Sequence, residues 1–246
     1  MILAACAADA TLQTSAKQVP TARATYIQDT GALLANPAMR AQLERLVRAQ
    51  RITTVVPYAL GPLVVAPTTR ASLEAWIDEV HRDGGRVVLP IAGVDRLAAL
   101  ADSTLWIDGL VSELEFWNKP ERPLGDLLAL LAAMRGWNNH GHPFEVGAYL
   151  GSPSANEAAR LAKAVDFVFL DYSIRSPDLA WQPRLRERFG WFAGVAVWPI
   201  FYATGEVDMK DALRAEGLAQ AEQRFRAEAP NQVAGFVYFT FEATPW

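Results

Sequence analysis

The chain has 246 residues, of which 51% are hydrophobic, and its formal net charge is −4 at pH 7. This length and apolar content suit one domain with a sizeable buried core. No basic stripe interleaved with aromatic residues runs along the chain, so the sequence excludes nucleic acid as a partner. No apolar run beyond the N-terminal segment approaches the ~20 residues of a transmembrane helix.

The single cysteine, Cys6, lies in an N-terminal segment that differs in composition from the rest of the chain. Leu3-Ala4-Ala5-Cys6 resembles a bacterial lipobox, whose cysteine is lipidated, and the stretch that follows is rich in Ala, Thr, Ser and Gln, as a flexible tether would be. Only five residues precede Cys6, fewer than a signal peptide needs, so either the start is truncated or assigned too late, or the match is due to chance. We expect residues 1–23 to be a signal remnant and tether. The protein would then be secreted or held at a bacterial cell envelope by a lipid anchor at Cys6.

From residue 25 onward, short apolar runs alternate with longer amphipathic segments. The runs are rich in Val, Ile, Phe and Tyr and are nearly continuous, which is typical of parallel strands covered by helices. The predicted strands are residues 25–29, 53–60, 86–93, 108–118, 144–151, 166–173, 195–202 and 233–242. The predicted helices are residues 37–50, 69–83, 95–101, 124–135, 154–164, 177–189 and 208–227, the fifth of them opened by a capping box of Ser154 and Glu157.

Eight strands that alternate with seven helices predict a (β/α)8 TIM barrel, formed as one domain by residues 24–246. An open doubly wound sheet is the main alternative. Such a sheet usually has fewer strands and a glycine-rich loop after the first of them, and Asp29-Thr30-Gly31-Ala32 lacks that pattern. We expect the barrel to be a monomer.

The fourth strand directs two carboxylates toward the end of the barrel where active sites of this fold lie. Side chains alternate between the two faces of a strand, so Glu113 and Glu115 share the inward face with Val111 and Trp117. Leu110, Leu114 and Phe116 share the other face with Ser112 and suit packing against outer helices. Two neighbouring carboxylates repel each other and burial raises a carboxyl pKa, as a general acid requires. The alternative is a solvated acidic rim, or a buried pair satisfied by Arg or Lys.

Four strands carry motifs that resemble those of family 18 glycoside hydrolases, the chitinases and endo-β-N-acetylglucosaminidases. The segment Asp108-Gly109-Leu110-Val111-Ser112-Glu113-Leu114-Glu115 is similar to the family's D-G-x-D-x-D-x-E strand. Residues 86–93 resemble its K-V-L-x-S-x-G-G strand, residues 166–173 its D-[FY]-[IV]-N-[VL]-[MQ]-x-Y segment, and residues 235–239 its G-x-x-x-W segment.

This resemblance implies a hydrolase acting on an N-acetylhexosamine-containing glycan. Glu115 would be the general acid and Glu113 the carboxylate that orients the substrate's N-acetyl group, which attacks the anomeric carbon. Asp171, with Tyr172 or Ser173, would line the acetamide pocket. The sequence departs from the family at five positions, where Val111 and Glu113 replace Asp, Pro90 replaces Ser, Ser173 replaces Tyr, and Phe239 replaces Trp.

Two other functions remain open from the sequence. One is a barrel without catalysis that binds a glycan or another partner at the cell envelope, which the departures at Val111 and Phe239 favour. The other is a hydrolase that uses Glu113 and Glu115 in a different reaction class.

Further polar and aromatic residues fall near predicted strand ends and could line the same site. Asp29 could face the mouth or cap the following turn, and Asp171 could belong to the site or to a structural ion pair. The aromatic residues could form a wall that stacks on sugar rings or could be core and rim packing. They are Tyr58, Trp117, Trp198 and Tyr202, and Glu242 at the end of strand eight could join the carboxylates.

The three histidines do not suggest a metal site. His81 falls on an outer helix, and His140 and His142 fall in the loop that enters strand five, at the opposite end of the barrel from the mouth. We therefore predict neither a metal nor another cofactor, and the Gly-x-Ser-x-Gly pattern of serine hydrolases is absent from the sequence.

Overall fold

A computed structural model describes residues 22–100, 104–117, 123–151, 153–171, 183–202, 210–228 and 233–244. Cys6, Tyr172 and Ser173, which the sequence analysis singled out, lie outside these ranges.

Eight parallel strands form a closed barrel, in which each strand pairs with the next along the chain and the last pairs with the first. The strands are β1 Ala22–Ile27, β2 Ile52–Pro57, β3 Arg86–Ile91, β4 Gly109–Ser112, β5 Glu145–Leu150, β6 Phe167–Asp171, β7 Ala196–Tyr202 and β8 Gly235–Phe239. The predicted single (β/α)8 barrel is therefore confirmed. β4 is shorter than predicted, since it ends at Ser112, residues 113–115 have no regular secondary structure, and Phe116 and Trp117 form a turn.

Helices follow the strands on the outside of the barrel. Within the described residues they are α1 Thr30–Ala35, α2 Pro37–Gln50, α3 Gly61–Val65, α4 Pro67–Arg82, α5 Val94–Ala99, α6 Leu124–Arg135, α7 Ala155–Leu161, α8 Pro183–Gly190, α9 Lys210–Glu216 and α10 Leu218–Glu228. The capping box of Ser154 and Glu157 is present at α7. Among these helices, none is long and apolar enough to cross a membrane.

The helix prediction missed two kinds of feature. The short helices α1 and α3 have only six and five residues, too few to show an amphipathic period. The long helix predicted over residues 208–227 is divided into α9 and α10 by Gly217, whose φ of 85° lies in the left-handed region.

The alternation of side chains along the strands produces two apolar cores. The outward faces pack against the helices, as Leu110, Val146 and Val168 do. The inward faces fill the barrel with a smaller cluster, Ala24, Tyr26, Val56, Val88, Val111, Phe167, Phe169, Ile200 and Val237. This inner cluster closes the barrel below its mouth, the end formed by the carboxyl ends of the strands.

The closure between β1 and β8 is reinforced by a buried ion pair. Arg23 donates to Glu222 of α10 through Nε at 2.7 Å and Nη2 at 2.9 Å, and the Tyr238 hydroxyl also donates to Glu222. Ala22 and Arg23 pair with Gly235 and Phe236, so both residues belong to the sheet. The sequence analysis had placed them at the end of the tether.

Candidate functional site

The centre of the mouth is a hydrogen bond between residues from opposite sides of the barrel. Glu113 directly follows β4, and its backbone N–H donates to the carbonyl of Ile91 at 2.9 Å, which fixes its direction beside β3. Its Oε1 accepts a hydrogen bond of 2.7 Å from the hydroxyl of Tyr26 on β1. Tyr26 is only 2% exposed, so this phenol holds Glu113 at the top of the inner cluster.

The Glu113 carboxyl is perturbed by its surroundings. Its pKa is raised from 4.5 to about 7, mainly by burial and to a smaller extent by the negative charge of Glu115, while the hydrogen bond from Tyr26 lowers it. A carboxyl with this pKa retains its proton for about half of the time at neutral pH. It can therefore either hold or release a proton under physiological conditions.

Glu115 lies near Glu113, and both side chains are partly exposed. The chain continues to alternate beyond the end of β4, because Leu114 and Phe116 pack in the outer core while Glu113, Glu115 and Trp117 are partly exposed. The charge of Glu115 acts on Glu113 and also raises the phenol pKa values of Tyr58 and Tyr149. The structure thus brings together the two glutamates that the sequence predicted at the mouth.

A second polar group lies at the ends of β5, β6 and β7. The Tyr149 hydroxyl donates to Oδ2 of Asp171 at 3.3 Å and lies 3.1 Å from the hydroxyl of Tyr202. Burial and the charge of Asp171 both raise the pKa of each phenol, so the two tyrosines stay protonated and act as hydrogen-bond donors. Asp171 and Tyr202 were predicted at the mouth and are in contact with one another through Tyr149.

Aromatic rings connect these two polar groups. Phe239 at the end of β8 lies 5.1 Å from the ring of Tyr26 and 5.5 Å from the ring of Tyr202. On the other side, Trp117 meets Tyr149 edge-on at 5.4 Å. The glutamates are thus flanked by aromatic faces of the kind that stack on sugar rings.

Two predicted rim residues have other local roles. Asp29 is exposed and its Oδ1 accepts a hydrogen bond of 2.9 Å from Ala32, so it caps α1, which is the alternative that the sequence left open. Glu242 is exposed and accepts a hydrogen bond of 3.2 Å from the backbone of Gln28, next to the ends of β1 and β8. Neither carboxylate has a described contact with Glu113.

Trp198 does not lie at the mouth, contrary to the prediction. It is the third residue of β7, which runs on to Tyr202, and its ring packs edge-on against Phe169 inside the barrel at 6.2 Å. It lines a small cavity of about 20 Å³ at the opposite end, together with the ion pair of Arg86 and Glu145. The alternation of side chains along the strand correctly predicted that Trp198 points into the barrel, but it did not predict how far from the mouth the residue lies.

Tyr26 and Tyr149 were missed by the sequence analysis. Both lie on the inward face, one residue before the last residue of β1 and of β5, respectively. A tyrosine at an inward position so near a strand end is the signal that could have identified them, because its hydroxyl then reaches the layer where the carboxylates lie.

A side cleft of about 200 Å³ opens from the mouth between the loops that follow β2 and β3. Glu113 forms its inner end, and Tyr58 and Arg96 lie on its walls. Tyr58 is 40% exposed, one of the few large aromatic residues in the described part of the chain with this exposure.

Comparisons with known proteins show likeness of fold. No family model matches the chain, and no curated protein sequence matches it. A chitinase from Bacteroides thetaiotaomicron is 10% identical, with a TM-score of 0.57 over 91% of this chain and 90% of that protein. The Bacillus cereus spore cortex-lytic enzyme SleL is 12% identical, with a TM-score of 0.55 over 91% of this chain and 71% of that protein.

A transferase has a similar barrel. An active-site mutant of the Rhizomucor miehei β-1,3-glucanosyltransferase, solved with laminaritriose, is 15% identical, with a TM-score of 0.55 over 89% of this chain and 86% of that protein. A dihydrodipicolinate synthase variant matches more distantly, with a TM-score of 0.48 and 62% of that protein covered. At such identities the likeness shows a shared fold. The chain has the TIM-barrel architecture also found in glycoside hydrolases and glycosyl-transferring enzymes.

Proposed function

We propose that this protein is a glycoside hydrolase-like enzyme that acts on an N-acetylhexosamine-containing glycan, with Glu115 as the general acid. One observation carries the proposal. Glu113, held by Tyr26 beside Glu115 in the mouth of the barrel, has a pKa of about 7. A carboxyl pair that keeps a proton near neutral pH is what protonation of a glycosidic oxygen requires.

The two glutamates would divide the reaction between them. Glu115 would protonate the leaving oxygen as the glycosidic bond breaks. The proton that Glu115 donates would come from Glu113, and the Glu113 carboxylate left by this transfer would balance the positive charge that develops as the acetamide oxygen of the substrate attacks the anomeric carbon. Water would then open the cyclic intermediate and return the proton to the pair.

The surroundings of the glutamates are suited to an amphipathic ligand such as a sugar. Tyr149 and Tyr202 offer hydroxyl groups that stay protonated, next to the carboxylate of Asp171. Trp117 and Phe239 present apolar faces on either side. A sugar ring combines hydroxyl groups at its edge with an apolar C–H face, which these two kinds of residue complement.

Turnover of defined glycans tests the proposal. The purified protein should cleave a chitooligosaccharide, peptidoglycan or N-glycan reporter. Glu115→Gln should lower kcat by at least about 100-fold, the usual contribution of a general acid. Glu44→Gln, the same change on the exposed surface of α2, is the matched control and should have no effect. Absence of turnover on every reporter would refute the enzymatic proposal.

The pH profile adds a second test. Activity of the wild-type protein should fall as the pH rises through about 7, because the Glu113 proton is lost there. Glu113→Gln should remove that limb of the profile. A wild-type profile that stays flat between pH 6 and 8 would contradict the assigned role of Glu113.

A binding barrel without turnover is the second candidate, and Val111 favours it. This residue is fully buried below the glutamates, where the resemblance leads one to expect an acid. A binding barrel would show saturable glycan binding that survives Glu115→Gln, with no product formed by either protein.

We also propose attachment to the cell envelope through Cys6, on the resemblance of its flanking residues to a lipobox. Cys6→Ser should move the protein from the membrane fraction to the soluble fraction of the producing cells and abolish labelling by a palmitate analogue. An unchanged distribution would refute the anchor.

A further inference from the structure

The side cleft between the loops after β2 and β3 differs chemically from the rest of the mouth. Its walls include Tyr58, Gly61, Pro90 and Arg96, and its inner end is Glu113. Glu113, Glu115 and Asp171 make the mouth itself acidic. Arg96 thus brings a positive charge into the cleft that opens from this acidic mouth.

The guanidinium of Arg96 makes no hydrogen bond or ion pair with the described residues, and only the backbone N–H of this residue is paired, donating to Gly93 at 3.1 Å. Its nearest acidic neighbour along the chain, Asp95, instead lies against Gly93, because a Cβ on that glycine would come within 2.7 Å of Oδ1. An arginine fork without a partner at the wall of a cleft retains its full capacity to bind an anion.

The guanidinium of Arg96, an exposed residue, lies against backbone on one side. It lies against Gly61 at the start of α3, where a Cβ would come within 2.6 Å of Nη1. The absence of a side chain at Gly61 therefore creates the space that the guanidinium occupies. This contact removes some of the positions open to the long side chain, which lowers the entropy lost when an anion binds.

Tyr58 supplies an aromatic surface on the same cleft. Its backbone is fixed on both sides, since its N–H donates to Ile27 at 2.9 Å and its carbonyl accepts from Thr30 at 2.7 Å. Its ring remains 40% exposed. A fixed backbone and an exposed ring are suited to stacking on a sugar at the entrance of the cleft.

We propose that this cleft binds an acidic sugar, with Arg96 pairing with its carboxylate and Tyr58 contacting its ring, next to the sugar held at Glu113. The inference rests on the proposed function and names its substrate class, a glycan in which N-acetylhexosamine alternates with a carboxylate-bearing unit. A planar carboxylate matches the guanidinium fork through two parallel hydrogen bonds. The carboxylate could belong to the ring of a uronic acid or to an ether-linked side group of an amino sugar.

Calorimetric titration with three tetrasaccharides tests the inference and separates the two sources. The probes are a neutral chitooligosaccharide, an oligosaccharide of alternating N-acetylglucosamine and glucuronic acid, and a peptide-free peptidoglycan fragment that contains N-acetylmuramic acid. The wild-type protein should bind at least one acidic probe more tightly than the neutral one. Arg96→Gln should reduce this preference by roughly 10- to 100-fold, the range expected for a hydrogen bond to a charged group.

Two further variants make the result specific. Arg96→Lys keeps the charge but loses the fork, so it should restore only part of the preference. Gly61→Ala should displace the guanidinium and reduce the preference without changing any charge. Arg45→Gln, the same charge change on the exposed face of α2, is the control and should leave the preference unchanged.

The outcomes separate this inference from the proposed function. Cleavage of neutral glycans without any preference for acidic ones would overturn the cleft proposal and leave the hydrolase proposal standing. Acidic binding that depends on Arg96, without cleavage, would support the cleft and refute the hydrolase. If none of the three probes binds, the cleft proposal is wrong, and the turnover assay on the full set of reporters decides the hydrolase proposal separately.

Discussion

Replacing Tyr26 with Phe should raise the pKa of Glu113 and change how stability depends on pH. The substitution removes the hydroxyl that donates to Glu113 at 2.7 Å but keeps the ring, which packs 5.1 Å from Phe239 and 6.2 Å from Phe169. Tyr26 lowers the pKa of Glu113 because its hydrogen bond favours the ionised carboxylate. Such a bond contributes about 1.5–3 kcal/mol, so its loss should raise the Glu113 pKa by roughly one to two units.

The sign of the stability effect follows from proton linkage. The folded-state pKa of Glu113 is about 7, above its ordinary value of 4.5, so the unfolded chain releases this proton first as the pH rises. Glu113 therefore has no effect on stability below about pH 4.5 and lowers stability as the pH rises from there to about 7. The total loss is roughly 3 kcal/mol, from 1.36 kcal/mol per pKa unit.

Urea unfolding between pH 4 and 9, with a ¹³C NMR titration of the Glu113 carboxyl, would measure both effects. In Tyr26→Phe the loss of stability should extend roughly one to two pH units higher than in the wild-type protein. In Glu113→Gln this pH-dependent loss of stability should be absent. Adding Tyr26→Phe to that variant should lower the free energy of unfolding only slightly. If the Glu113 carboxyl titrates below pH 5, or at the same pH with and without the Tyr26 hydroxyl, the reasoning is wrong.

Two further predictions concern the scaffold. Glu222→Ala leaves the buried guanidinium of Arg23 without its main partner. Urea unfolding should show that it lowers the free energy of unfolding by roughly 3–5 kcal/mol. A loss below about 1 kcal/mol would show that the ion pair does not stabilise the closure of the barrel. Gly151→Ala should destabilise by roughly 1–3 kcal/mol, because the new methyl group would overlap the indole of Trp117. Gly125→Ala is the control, because this glycine lies within α6 and no atom lies within 4 Å of the new methyl group. It should stabilise the protein slightly. Equal effects of the two glycine substitutions in thermal melts would refute this distinction.

The sequence was sufficient to predict the barrel fold and the inward direction of Glu113 and Glu115. Both depend on local patterns, namely the alternation of strands with helices and the period of two along a strand. Successive side chains continue to alternate between the inward and outward faces after β4 has ended, so Glu113 points inward while Leu114 packs in the outer core. The outer core and the inner cluster follow from the same rule.

The depth of a residue and its partners across the barrel could not be predicted in this way. The contact between Tyr26 and Glu113 joins β1 to the end of β4, which are not neighbouring strands, and depends on how far each strand extends. Trp198 was assigned to the wrong end because β7 continues to Tyr202. Asp29 illustrates a third limit, since one carboxylate near a strand end can serve either a ligand or a helix N-terminus.

The apolar packing below Glu113 also determines how the carboxyl exchanges its proton. Val111, Phe169 and Val237 are buried beneath it, so the mouth is its route to bulk water. A ligand seated over the mouth would close that route and favour one of the two protonation states of the carboxyl. Near pH 7 the free protein is a mixture of protonated and ionised forms, so binding should take up or release a fraction of a proton. The binding enthalpy should then vary with the ionisation enthalpy of the buffer, which reports proton uptake even when no bond is cleaved.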